Sequence, residues 1–306
     1  MLRYDDLQVF VHTSDSGSLS AAARQLEISP AVASAALKRL ESELEVRLFA
    51  RSTRSLRLTP EGDAFLQHAR ASLRSLEEGR RLLQGGKDQI AGVLQLSAPS
   101  DFGRNLLLPW LDEFQARYPQ LSLRLLLGDR VTDLYRQPVD VAIRYGAPAD
   151  SSLVALPLAP DNRRVLCAAP GYLAERGEPR QPDDLREHNC LLYQLGGRVH
   201  DRWAFQRGRR SLPLTVAGDR VCDDADVVRR WAMAGKGLVY KSWLDVAEDV
   251  RAGRLRLLLP EWQGEATPMN LLCTHRAQLT RPVTLLRAFV RERCDALLAE
   301  APWTRN

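Results

Sequence analysis

The sequence predicts two folded parts joined by a long helix: an all-α N-terminal winged helix-turn-helix, then a linker helix, then a two-lobed α/β domain. Three observations carry this expectation. Residues 1–58 are dense in helical patterns and poor in glycine. Residues 59–85 hold one long helical pattern that Gly85-Gly86 stops. From about residue 91, short apolar runs alternate with helical patterns. The boundaries read as 1–58 for the helix-turn-helix, 59–90 for the linker and 91–306 for the α/β domain. Within the last, lobe 1 takes about 91–160 and 266–306 and lobe 2 about 161–265.

In the first block, Leu7, Phe10 and Val11 share a helix face, with Asp5 and Asp6 at its favourable N-terminal end. Ser18 caps a second helix whose Leu19, Ala22, Ala23 and Leu26 face inward, and the run Ala21-Ala22-Ala23 allows close approach by a neighbour. Ile28-Ser29 makes the turn, and Ser29-Pro30 is an N-cap followed by proline at the first helical position. The third helix buries Ala33, Leu37, Leu40 and Leu44. Its other face carries Ala31, Ser34, Ala35 and Lys38, small and polar enough to enter a DNA major groove. The stretch Val46–Leu58 holds Arg47, Arg51, Arg54 and Arg57 and no acid, as suits a β-wing lying over phosphates. Residues 1–60 contain eight basic and seven acidic residues, so clustering rather than excess is the signal; the whole chain carries a net charge of +5.

Thr59-Pro60-Glu61 starts the linker helix with a cap, a proline and an acid. Leu66, Ala69, Leu73, Leu76 and Leu83 form a roughly heptad seam broken by Arg80, which is expected to pair two chains. Further on, strands are expected at Val93–Ala98, Leu121–Leu127, Val139–Arg144, Arg163–Ala168, near Gly237–Tyr240 and Leu255–Leu258, and at Met269–Cys273. Helices are expected at about 103–117, shortly before 139, and at 281–298, with crossovers between lobes near 160 and 265. Ligands of such sheets bind beyond the carboxyl ends of strands. Ser97, Pro99 and Ser100 sit at such an end, where free amides and a hydroxyl can hold an anion. Arg144 and Lys241 each follow a strand and could point into the cleft from opposite lobes, which suits a carboxylate ligand.

Other classes are excluded on sequence. No G-x-S-x-G, P-loop, H-E-x-x-H or dinucleotide fingerprint is present, the five histidines lack metal-ligand spacing, and neither a cofactor nor a metal is expected. The absence of a signal-like N-terminus and of a membrane-length apolar run, with five scattered cysteines and no C-x-x-C, points to a reducing cytoplasm. A thiol sensor is the alternative, with Cys190 and Cys222 as its pair.

The segments Ser18–Leu26, Ser29–Ser34, Leu40-Glu41, Leu48–Arg51, Arg54 and Leu58–Gly62 together resemble the LysR-type transcriptional regulators, and the likeness extends over essentially the full length. It implies that Ser29, Pro30, Ser34 and Lys38 lie at or near base edges and that Arg51, Thr53 and Arg54 lie on the DNA backbone. The chain departs from the pattern at Ala35, where many members carry a basic residue. Gly92–Pro99, Leu108-Pro109, Phe114, Tyr118-Pro119, Asp140–Arg144 and Gly253–Leu255 match the family's sensor domain. That implies a type II periplasmic-binding-protein-like fold with a small-molecule effector between the lobes. Cys222, Asp223 and Asp224 fall where the family lines the cleft, with Tyr193 a further interlobe candidate. The resemblance also implies promoter DNA as partner, a homodimer joined as a tetramer, and contact with RNA polymerase.

Overall fold

The computed structural model describes residues 2–51, 56–84, 90–129, 139–147, 153–195 and 197–304. The chain forms two compact units, 1–89 and 90–306.

The first unit contains α1 (Tyr4–Ser16), α2 (Leu19–Gln25), α3 (Pro30–Leu44), strands β1 (Phe49–Arg51) and β2 (Leu56–Leu58), and α4 (Pro60–Gln84). Local chemistry sets these boundaries. Gly17 ends α1 in the left-handed region at φ 64°, and the Ser18 hydroxyl then caps α2 by accepting from Ala21 N at 3.4 Å. Ser29 caps α3 in the same way, accepting from Val32 N at 3.3 Å, and Pro30 occupies the first turn. The buried face of α1 is Leu7, Val9 and Phe10; Val11 is only half-buried. Phe10 stands at the centre, its ring 5.6 Å from Phe49 and 5.7 Å from Phe65 of α4. The buried Glu41 carboxylate accepts from Leu48 N at 2.9 Å and Phe49 N at 3.3 Å, which fixes where the wing begins.

The linker seam needs correction. Leu66 and Ala69 are buried in the core of their own unit, and Leu73 is half-buried on it. Three short helices cannot enclose Phe10 unaided, and the first turns of α4 supply the missing wall. Leu76 is 58% exposed and remains available; the Leu83 side chain lies outside the described residues.

In the second unit, β3 (Gly92–Ala98) leads into one helical run made of α5 (Ser100–Phe102), a π-turn (Gly103–Leu107) and α6 (Leu108–Arg117). The π-turn precedes Pro109, which has no N–H to continue the α-helical ladder. Next come β4 (Leu121–Leu127), β5 (Val141–Tyr145), β6 (Val154–Ala159), β7 (Arg164–Ala168), α7 (Pro170–Arg176) and β8 (Cys190–Leu195). They are followed by β9 (Arg198–Val199), β10 (Arg202–Arg207), β11 (Arg210–Thr215), β12 (Val221–Cys222), α8 (Ala225–Met233), β13 (Leu238–Ser242) and α9 (Trp243–Arg251). The unit closes with β14 (Arg256–Leu258), β15 (Gln263–Gly264), β16 (Met269–Cys273) and α10 (Arg281–Leu298).

Two sheets organise these elements into two lobes. Lobe 1 has the order β4-β3-β5-β16-β6, with β3 parallel to both its neighbours and β16 antiparallel to β5 and β6. Lobe 2 has β12-β8-β13-β7-β14, with β9 alongside β8 and a separate sheet β11-β10-β15. The crossings are pinned at Asn162, which is fully buried. Its side chain donates to Thr267 O at 2.8 Å and Ser242 Oγ at 2.9 Å, while its own carbonyl accepts from Thr267 N at 2.8 Å. The strands β6, β8, β9, β10, β11, β12 and β15 had no counterpart in the sequence expectations, and the short helix expected before 139 lies outside the described residues.

Candidate functional site

The first candidate is the N-terminal end of α3. Ser29, Pro30, Ala31, Val32, Ala35 and Lys38 are exposed and Ser34 is half-exposed, while Ala33, Ala36, Leu37 and Leu40 are buried. One side of the helix is therefore anchored and the other is free to meet a partner. Val32, 51% exposed, belongs to this face, although the sequence reading passed over it. The signal was available: an apolar residue on the free side of a capped helix with nothing of its own to pack on. Ser29 has a second role there as the cap of α3. For Arg51 only the backbone in β1 is described, and Thr53 and Arg54 lie outside the described residues.

The second candidate lies where the two lobes meet. Ser100 opens the lobe 1 helical run and Ala225 opens α8 of lobe 2. Both direct donors at one carboxylate, that of Asp129, two residues beyond the end of β4. Asp129 accepts from Ser100 N at 2.9 Å, from Ala225 N at 2.7 Å and from the Ser100 hydroxyl. Arg144 flanks this point. Its guanidinium donates to Ser97 Oγ at 2.6 Å and to Ile143 O at 2.7 Å. Burial lowers the Arg144 pKa, with the Asp129 charge acting in the opposite sense. Among the described residues no carboxylate lies within ion-pair distance of Arg144, and its hydrogen-bond acceptors there are the Ser97 hydroxyl and the Ile143 carbonyl.

Lys241 does not line an open cleft. Its side chain is 2% exposed; Nζ pairs with Asp101, donates to Ala225 O at 2.9 Å and stands 3.5 Å from Asp245. Arg229 approaches the same Asp101 at 3.3 Å and binds Asp249 at 2.6 Å. Burial alone would lower the lysine, but Asp101 and Asp245 turn this into a net rise, while burial raises the Asp101 carboxyl to about 7 against the pull of Lys241 and Arg229. Every residue of β13 is buried, so a cation placed there must find its counter-ion in the protein rather than in a ligand. Further ties between the lobes are Arg104–Asp224 at 2.8 Å, Asn105 Nδ2–Asp226 at 2.9 Å and Tyr145 OH–Asp245 at 2.6 Å.

The other expected residues separate by environment. Ser97 and Ser100 are buried at the donor cluster, and Pro99 precedes the helical run. Asp224 caps α8, accepting from Asp226 N at 3.0 Å and Val227 N at 3.4 Å, in addition to its pair with Arg104. Cys222 is half-buried, and its sulfur accepts from Asp224 N at 3.4 Å. Asp223 is exposed. Tyr193 is core packing in lobe 2, with its ring 5.4 Å from His200 and the Arg164 guanidinium 5.4 Å above it. The thiol alternative finds no geometric support. Cys222 pairs with Tyr193, three residues past Cys190, so the two cysteines are offset by about 10 Å along the strands. Burial also pushes the Cys190 thiol up to about 12, leaving it unreactive. Among the described residues no cluster of His, Cys, Asp or Glu is arranged to hold a metal, and no helix is long and apolar enough to cross a membrane.

Comparison with known proteins agrees with both halves of this description. Residues 4–63 match the family model for the bacterial regulatory helix-turn-helix protein, lysR family, and residues 87–295 match the LysR substrate binding domain. The chain is 33% identical to the HTH-type transcriptional activator AaeR of Escherichia coli (strain K12), covering 94% of this chain and 92% of that one. It is 32% identical to the activator TtdR of the same organism, covering 92% and 89%. Among solved structures it resembles CrgA, a LysR-type transcriptional regulator from Neisseria meningitidis, at 30% identity and a TM-score of 0.59, over 95% of this chain and 99% of that one. The C-terminal unit is thus a periplasmic-binding-protein-like effector domain, and the chain is a transcription factor rather than an enzyme. The chain belongs to the LysR family of bacterial transcriptional regulators.

Proposed function

We propose that the chain reads promoter DNA with the free face of α3 and that this binding is modulated by a small carboxylate held between its lobes. The DNA half is supported by the exposed row Ser29, Pro30, Val32, Ala35 and Lys38 over a buried anchor. Ser29, Ser34 and Lys38 offer polar contacts to base edges, and Val32 offers an apolar contact to a thymine methyl. The arginines of the wing act on phosphates, which sets affinity without setting sequence. Arg54→Ala is therefore expected to weaken all DNA sequences alike and to reduce the salt slope by about 0.9. Val32→Ala or Ser34→Ala is expected to relax discrimination at one base pair by about 1–3 kcal/mol. Anisotropy titrations on matched and mismatched duplexes at several salt concentrations separate the two effects. An Arg54→Ala protein with unchanged affinity and slope removes the wing from the interface. The exposed part of α4 around Leu76 is the surface proposed to pair two chains.

One observation carries the effector half: donors from both lobes, Ser100 N and Oγ with Ala225 N, converge on a carboxylate, and Arg144 stands beside them without an acidic partner among the described residues. A hydrogen bond to a charged group contributes about 1.5–3 kcal/mol, so losing one weakens binding roughly ten- to a hundredfold. Ser100→Ala and Arg144→Met are each expected to show that loss when carboxylates found by thermal shift are titrated calorimetrically. Both variants binding like the parent would reject this seat.

A further inference from the structure

The carboxylate in that seat belongs to the protein. We infer that Asp129 is a built-in competitor: it occupies the donors proposed for the effector, bridges the two lobes, and must be displaced before a carboxylate can bind. This inference rests on the anion-seat reading above. The geometry fits that role. Asp129 touches lobe 1 through Ser100 and lobe 2 through Ala225, so one side chain ties both halves of the cleft. Gly128 N is held to Ala98 O at 3.0 Å, which anchors the backbone just before Asp129 and aims its short side chain at the seat. Asp129 itself is half-exposed, so water and solutes can reach it.

The ion pairs around it are arranged differently. Asp224 is committed to Arg104 and to its own cap, and Asp101 to Lys241 and Arg229. Asp129 has no lysine or arginine within ion-pair distance among the described residues; it is held by two amides and a hydroxyl. A carboxylate held by neutral donors can be exchanged for another carboxylate without leaving a buried charge unpaired. A tethered group competes at a high local concentration, so the parent protein answers only to carboxylates with further contacts in the cleft, such as one to Arg144. Asp129 thereby sets the threshold of the sensor as well as its specificity.

The test uses acetate, the smallest stand-in for the side chain removed. The full-length parent, Asp129→Ala and Asp129→Asn are melted in sodium acetate and in sodium chloride of equal ionic strength. Acetate is expected to raise the Tm of Asp129→Ala by about 3–6 °C at tenfold excess over its Kd, with a smaller rise for Asp129→Asn and none for the parent. The apparent Kd for acetate should be at least tenfold lower in Asp129→Ala than in the parent. Adding Ser100→Ala to Asp129→Ala should abolish the gain, which ties it to this seat. Equal acetate stabilisation of parent and variants would overturn the competitor role and leave the anion seat standing. If acetate stabilises neither variant, while circular dichroism shows at least one of them folded, the anion seat itself is wrong.

Discussion

Lys241→Met is expected to be among the most damaging single substitutions in the second unit, lowering its stability by about 3–5 kcal/mol. At roughly 2–4 °C per kcal/mol for a unit of this size, the Tm falls by about 6–20 °C. The cause lies in what remains. Asp101 and Asp245 are 1% and 5% exposed, and Lys241 joins them across the two lobes. Without it, Asp101 keeps Arg229 at 3.3 Å and Asn105 at 2.8 Å, but among the described residues Asp245 keeps only the Tyr145 hydroxyl at 2.6 Å as a direct polar partner. Uncompensated charge in the interior is what makes a broken buried pair expensive, more than the loss of the attraction. A paired substitution checks this account. Lys241→Met with Asp245→Asn removes one buried charge of each sign, and a positive coupling of about 0.5–3 kcal/mol should appear in the double-mutant cycle. Urea unfolding followed by tryptophan fluorescence is suitable, since all six tryptophans lie in this unit. A loss under about 1 kcal/mol, the range of exposed pairs, would show that the network is solvated rather than buried.

Much of the architecture was legible because local signals agreed with the fold. Ser18, Ser29 and Pro30 marked helix starts where the structure places them, and the alternation in Leu121–Leu127 and the run Met269–Cys273 located strands to the residue. The central β13 was legible as a strand, but its lysine was misread as a cleft residue. A strand with all five residues buried reads as a continuous apolar run, and Leu238-Val239-Tyr240 before Lys241, with Trp243-Leu244 soon after it, is such a run. That context argues for a buried cation, yet its partner Asp101 is 140 residues away, beyond the reach of any local pattern. Asp129 was missed for the same reason: nothing adjacent in sequence announces that Ser100 and Ala225 converge on it. The linker seam was legible only in part: a heptad stripe does not say which wall it covers, and its first members, Leu66 and Ala69, are taken up by the helix's own unit around Phe10, while Leu76 stays exposed.

Gly62→Ala is expected to destabilise the first unit by about 1–3 kcal/mol, although alanine is the better helix former. Gly62 lies in the first turn of α4, where its N–H donates to the capping Thr59 hydroxyl at 2.9 Å. That hydroxyl donates in turn to Arg47 O at 2.6 Å, and Thr59 N donates to Leu48 O at 3.0 Å. The start of the linker helix is therefore laid directly on the backbone that enters the wing. A Cβ at Gly62 would sit 2.1 Å from Leu48 O and 2.9 Å from Leu48 C, inside the van der Waals envelope of backbone that cannot rotate away. Relief requires α4 to lift from the wing, which loosens Leu66 and Ala69 from the core and shifts the arginine-bearing strands relative to α3. DNA affinity should then fall together with stability. Gly79→Ala in the same helix is the internal control, since nothing lies within 4 Å of its added methyl. There the ordinary helix preference operates, and a gain of up to about 1 kcal/mol is expected. Because tryptophan fluorescence reports only the second unit, far-UV circular dichroism supplies the signal for the first; the part of its transition not matched by fluorescence isolates the helical unit. Opposite signs for the two alanines identify the contact with Leu48, rather than helix propensity, as the cause. Stabilisation by both would mean that the wing backbone gives way without cost and that the junction does not fix the DNA-reading geometry.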